Sequence, residues 1–158
     1  MNVRQLEIDD SKSIWEVNEQ GLPGTGDVSE EGICSLLEYA ELALGVFQGD
    51  TLLGFVICLP PDTGYGSLNY AWFNERYDQF LYVDRIAVSQ IHRNRKIGTL
   101  LYSEVISLAE KKQIPVAAEV NLTPPNPGSM RFHERNGFID VGVFRHGEKA
   151  VTMLLRAI

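Results

Sequence analysis

Cysteine is scarce in this chain: there are two in 158 residues, Cys34 and Cys58, both in apolar surroundings and without CxxC spacing. That excludes a disulfide framework and a thiolate metal site, and reads as small reduced core residues in a cytoplasmic protein. Long hydrophobic runs are missing as well. The longest, Leu52 to Leu59, falls far below the ~20 residues that cross a bilayer, so no membrane partner is expected. The N-terminal stretch Met1-Asn2-Val3-Arg4-Gln5-Leu6-Glu7 has no apolar leader core, which makes secretion by that route unexpected. Basic charge is in deficit. A net charge of −7 argues against broad contact with a phosphate backbone, so no nucleic-acid partner is expected. The three histidines, His92, His133 and His146, show neither metal-ligand spacing nor a Ser-His-Asp order. Neither a metal nor a covalent nucleophile is therefore expected. What remains is ordinary globular material, 44% hydrophobic and 22% charged, of a length that suits one domain over residues 1–158.

The charge is divided unevenly. Residues 1–80 carry three basic and fourteen acidic side chains, a net of −11, whereas residues 81–158 carry eleven and seven, a net of +4. Arg93, Arg95 and Lys96 place three cations within four residues. Such clusters are commonly solvated surface. The sharper reading is an anionic ligand held by the second half and a neutral or cationic one near the first.

Periodicity and punctuation predict a strand over Asn2–Ile8, then a helix to about Gln20 with Asp9 and Asp10 offered as caps. The loop Gly21–Gly26 follows, and a second helix after Asp27 and Ser29. Strands Leu42–Gln48 and Thr51–Leu59 flank the turn Gly49-Asp50. Residues 60–80, with Tyr65, Tyr70, Trp72, Phe73 and Tyr77, read as a long aromatic connection, expected to act as a mobile lid. Strand Leu81–Val88, helix Ile97–Lys112 and strand Pro115–Asn121 come next. A short helix opens at Asn126-Pro127 and closes at Asn136-Gly137. Strands Phe138–Phe144 and Lys149–Arg156 end the chain as a hairpin. The order β-α-α-β-β-β-α-β-α-β-β describes an α/β (α+β type) domain with a mixed sheet.

The strongest chemical feature is the turn Ser89–Gly98 between an apolar strand and an amphipathic helix. Free N–H groups, the positive dipole end and three cations make an anion cradle, or else an ordinary basic helix start. It is neither a P-loop nor a dinucleotide fingerprint, because the glycines those need are absent.

Arg93-Asn94-Arg95-Lys96-Ile97-Gly98 resembles the [Q/R]-x-x-G-x-[G/A] signature of the GNAT superfamily of acetyl-CoA-dependent N-acetyltransferases, with Lys96 where glycine is usual. Asn126–Phe138 resembles a second family segment, N-x-x-A-x-x-[LF]-Y-E-[KR]-x-G-F. There Ser129 replaces alanine and His133 replaces tyrosine. The resemblance spans nearly the whole chain. It implies a mostly antiparallel central sheet flanked by helices, whose fourth and fifth strands splay to admit acetyl-CoA. It implies pantetheine along Ile86, Ala87 and Val88, and pyrophosphate over Arg93, Asn94, Arg95, Lys96, Ile97, Gly98 and Thr99. By the same resemblance Asn126, Ser129 and Phe132 would also bind the cofactor.

Lys96 can present its N–H with an ordinary negative φ. The implied chemistry is transfer of acetyl to a primary amine of a small molecule or peptide by direct attack. Asp84 is the first candidate base, or else a surface aspartate or one paired with Arg85 or Arg135, and Glu119 is its competitor. His133 is the candidate acid, an imidazolium that needs Glu134 or Asp84 to hold it charged as pH rises, or else a satisfied helix histidine with water protonating the thiolate. Two rivals follow from the same residues: a silent acyl-CoA-binding regulatory module, and a toxin-type enzyme acting on charged tRNA, which the net charge disfavours. Members of the family often dimerise, which adds a homodimer to the expected partners.

Overall fold

The apolar run Thr51–Leu59 becomes strand β3, buried at every residue but its first, as a strand covered on both faces must be. The computed structural model describes all residues, 1–158. Around β3 the chain lays down β1 (Asn2–Gln5), α1 (Ser11–Gln20), α2 (Glu30–Tyr39), β2 (Leu42–Gln48), α3 (Leu68–Arg76) and β4 (Leu81–Val88). After these come α4 (Ile97–Lys112), β5 (Val116–Thr123), α5 (Pro127–Arg135), β6 (Ile139–His146) and β7 (Lys149–Arg156). The strands form one seven-stranded sheet in the order β1-β2-β3-β4-β5-β7-β6. All neighbours are antiparallel except β4 and β5.

Both sheet faces are covered. On one, Ile14 and Val17 of α1 and Ile33 and Leu36 of α2 pack with Phe55, Ile57, Leu59 and Tyr82. On the other, Leu101, Val105 and Ala109 of α4 meet Leu53, Val56, Val83 and Val116. Burial of these side chains, worth roughly 1.5–3 kcal/mol each, fixes the layer order.

Three expectations need correction. The segment read as a long connection contains α3. Ser67 caps that helix by accepting from the Tyr70 amide at 3.3 Å, and Tyr70 and Phe73 sit three apart at 1% and 0% exposure. Arg76 stacks on Trp72 at 3.9 Å. Of the aromatic side chains expected on a lid, Tyr70, Trp72 and Phe73 are core and Tyr65 and Tyr77 pack half-buried against it, and α3 lies between β3 and β4 where the sequence order had no helix. Second, Asp10 does not cap α1. It accepts from the Glu7 amide at 2.8 Å and takes both Arg4 nitrogens at 2.9 Å.

Third, Lys96 does not hold a negative φ. It is left-handed, with φ 61° and ψ 24°, at the start of α4. Asn94 is also left-handed, at φ 65°, which asparagine tolerates better than lysine. Lys96 adopts the conformation that glycine reaches without crowding its Cβ, at a strain cost of about 1–2 kcal/mol. Lys96→Gly is therefore expected to raise stability by about 1 kcal/mol in denaturant unfolding. An unchanged or lower midpoint would show the strain to be relieved elsewhere.

Candidate active site

Strands β4 and β5 pair only at Leu81↔Val116 and Tyr82↔Ala117. Beyond these they part, because β3 keeps β4 through Val88 while β7 holds β5 through Thr123. A bulge deepens the opening: Val83 pairs with Cys58 and Arg85 with Ile57, so Asp84 has no partner on β3. The gap becomes a cavity of about 940 Å³, at the upper end of small-molecule sites. Its walls are the α1–α2 loop, the β4 edge, the start of α4, β5, α5 and the β6–β7 hairpin.

Of the residues implied by resemblance, Ile86, Ala87, Val88, Arg93, Gly98, Asn126, Ser129 and Phe132 line this cavity. Asn94, Arg95, Lys96 and Thr99 are exposed on the turn and first residues of α4, outside that lining. The Ile97 side chain is core, 2% exposed, so only its backbone remains for a ligand. Arg93 already donates to the Gln20 carbonyl at 3.0 Å, and Gln20 Oε1 accepts from the Gln90 amide at 2.8 Å. These bonds tie the C-terminal end of α1 to the turn before α4.

The deeper end is held by buried polar groups. Arg85, 7% exposed, donates to Asp84 at 2.7 Å and to the Gly26 carbonyl at 3.0 Å. Asn18, fully buried, donates to that same carbonyl at 3.0 Å. Asp84 is thus committed to a neighbouring guanidinium, which weakens it as a base. Glu119 is placed differently. It extends from β5 past the last β4–β5 pair, and its Oε1 accepts from Tyr82 Oη at 2.7 Å and Asn69 Nδ2 at 3.3 Å. Its Oε2 is buried without any partner. Burial pushes the Glu119 carboxyl up to about 8, against the smaller opposing effect of the Tyr82 bond.

His133 is 5% exposed on α5, among Tyr102, Phe132 and Phe138 at ring-centroid distances of 5.2, 5.7 and 5.1 Å. A carbonyl can only accept, so the 2.7 Å contact to the Ser129 carbonyl puts the proton on Nδ1. Nε2 then accepts from Tyr102 Oη at 2.6 Å. Burial lowers the His133 pKa below its ordinary value, with the Ser129 bond opposing. Of the two readings of His133 the structure shows the satisfied helix histidine: both ring nitrogens have partners, Glu134 is exposed and Asp84 is taken by Arg85, so neither holds an imidazolium. The proton on this wall belongs to Tyr102.

A family model for the acetyltransferase (GNAT) family matches residues 6–138. The chain belongs to that family. No curated protein sequence matches this GNAT chain. Among solved structures, the ribosomal-protein-S18-alanine N-acetyltransferase from Escherichia coli is 16% identical with a TM-score of 0.76, over 99% of this chain and 94% of that one. Ard1 from Thermoplasma volcanium is 15% identical with a TM-score of 0.79, over 98% and 95%. The NatC complex bound to Gag peptide and CoA contains a chain 15% identical with a TM-score of 0.76, over 99% and 98%. At these identities the likeness establishes the GNAT fold, and the family match establishes an acetyltransferase. No helix of this acetyltransferase is long and apolar enough to cross a membrane, and no three His, Cys, Asp or Glu side chains converge as a metal site.

Tyr82, Tyr102 and Asn69 were not singled out in the sequence as site residues. Tyr102 carried a usable signal, standing four residues after Gly98 on the cavity face of α4. Asn69 carried none, because it depends on a helix that the pattern did not reveal.

Proposed function

We propose that this GNAT domain transfers acetyl from acetyl-CoA to a primary amine of a small molecule or peptide. One observation carries the reading: the β4–β5 opening leads from the start of α4 to a buried carboxyl oxygen that has no partner. Beyond Tyr82 the β4 edge has no β5 neighbour. Extended pantetheine amides along Ile86, Ala87 and Val88 can take those free groups, as an added strand would. The α4 start, with Arg93, Arg95 and Lys96 around it, suits the pyrophosphate. Relatives named for an alanine amine and for a bound peptide favour a peptide acceptor within the amine class. Both cysteines are free thiols, in keeping with a cytoplasmic enzyme.

In the reaction, Glu119 takes the proton of the attacking amine, directly or through one water. The amine nitrogen bonds to the thioester carbon, and the C–S electron pair leaves on sulfur. Tyr102 breaks its bond to His133 Nε2 to pass its phenolic proton to that sulfur, and after CoA departs it regains a proton, through water, from Glu119. His133, whose Nε2 accepts from Tyr102, keeps the phenol oriented as a positioning residue. Asp84 orders Arg85 and the loop at Gly26.

The test is free-thiol release from acetyl-CoA across polyamines, amino acids, aminoglycosides and peptide N-termini. Turnover with an amine is expected; tight binding without thiol release would indicate a silent sensor instead. Tyr102→Phe is expected to lower kcat about 100-fold while changing the Kd for CoA little. Wild-type kcat in that variant would remove Tyr102 as the acid.

A further inference from the structure

Asn69 stands on α3, and both ends of its carboxamide are engaged. Its Nδ2 donates to Glu119 Oε1 at 3.3 Å, and its Oδ1 accepts from His146 Nε2 at 3.2 Å. The orientation follows from the partners, since a reversed amide would aim its carbonyl at a carboxyl oxygen that two lone pairs already make an acceptor. Tyr82 donates to the same Oε1 at 2.7 Å. Two donors on one oxygen fix the plane of the carboxyl group and confine its proton to Oε2, the oxygen without a partner. The three elements involved are far apart in sequence: α3 supplies Asn69, β5 supplies Glu119, and the end of β6 supplies His146.

We propose that Asn69 is a positioning residue for the Glu119 carboxyl, and that His146 holds Asn69 in place, so that α3 and the β6–β7 hairpin set the base before an acceptor arrives. The proposal rests on the reading of Glu119 as the base, but its geometry can be tested without turnover. A hairpin that moves on acceptor binding would, through His146 and Asn69, change the proton affinity of Glu119. The other charged or titratable groups facing Glu119 are Asp84 and Arg85 of β4 and Tyr102 of α4, with Lys149 of β7 on the same cavity. None of them is altered in the variants below. Asn69 is half-buried and helical, so alanine fits there without loss of core.

The experiment follows the protonated-carboxyl stretch by infrared difference spectroscopy of the free protein across pH, with the Glu119 band identified by its loss in Glu119→Gln. The wild-type midpoint is expected near 8. Asn69→Ala removes a bond that favours the ionised form, so its midpoint should rise by about one pH unit. His146→Leu should raise it less, and His146→Gln, which keeps an N–H donor, should restore the wild-type value. An unmoved midpoint in Asn69→Ala overturns the proposal, and one unmoved in His146→Leu overturns the hairpin's part in it. The base reading fails separately. In that case Glu119→Gln keeps full turnover while the Asn69 and His146 shifts persist.

Discussion

Glu119→Gln is expected to cut kcat/KM by about 10²- to 10⁴-fold, the usual worth of a positioned general base, and at the same time to make the protein more stable at alkaline pH. The activity loss follows because the amide keeps the Tyr82 and Asn69 bonds to its oxygen but has no lone pair to receive a proton on nitrogen. The stability gain follows from linkage. The native carboxyl titrates at about 8, above its ordinary 4.5, so between these values the native state holds a proton that the unfolded chain has released. Stability from this group is therefore fully present below about pH 4.5 and lost as pH rises through 8. The variant lacks that loss. Its advantage should be small at pH 4, grow through 8, and reach on the order of a few kcal/mol. In the wild type, kcat/KM should rise with pH through the same range. Denaturant unfolding at pH 4.5, 7 and 9 checks the stability arm, and a pH–rate profile checks the other. A variant that lost activity yet showed wild-type pH dependence of stability would mean that Glu119 is ionised in the native protein.

Gly98→Leu is expected to leave the fold intact and abolish stabilisation by acetyl-CoA. Gly98 is not in the left-handed region, and a Cβ built there meets only Phe132 Cζ at 4.0 Å. The backbone does not need glycine at this position, and in the proposed function it is the pyrophosphate's close approach to the start of α4 that would need it. Alanine should therefore be tolerated, while leucine fills the cavity beside Phe132. With acetyl-CoA at 100 times its Kd, the native state gains about 2.7 kcal/mol. For a chain of this size that is roughly 5–10 °C in Tm. The shift should be present in wild type, reduced in Gly98→Ala and absent in Gly98→Leu. An undiminished shift in the leucine variant would move the cofactor site away from α4.

The legible parts of the sequence were those set by short-range forces. Strands β2, β3, β4 and β7 and helix α4 run over the residues that alternation, apolar stripes and turn dipeptides mark out. Ser29 and Asn126 cap α2 and α5 by accepting from Gly32 and Ser129 amides. Helix α3 escaped because its pattern conflicts. Gly64 and Gly66 precede it, and its apolar face is made of Tyr70, Trp72 and Phe73, which suit strands as well as helices. Only packing against Phe80 and Tyr82 decides between them.

The sequence by itself determined the family, the basic turn before α4 and the element types other than α3, because caps, periodicity and motif spacing act over a few residues. The chemistry of the site was decided by the tertiary structure. Asp84 and Glu119 are both strand carboxyls in sequence. Folding sets the first 2.7 Å from a guanidinium and leaves the second with an unpartnered oxygen. His133 reads as a titratable acid in sequence and is a neutral acceptor once Phe132, Phe138 and the Ser129 carbonyl surround it. Proton affinity depends on desolvation and on partners brought from distant parts of the chain. Asn69 reaches Glu119 across 50 residues, and only the folded sheet supplies that contact.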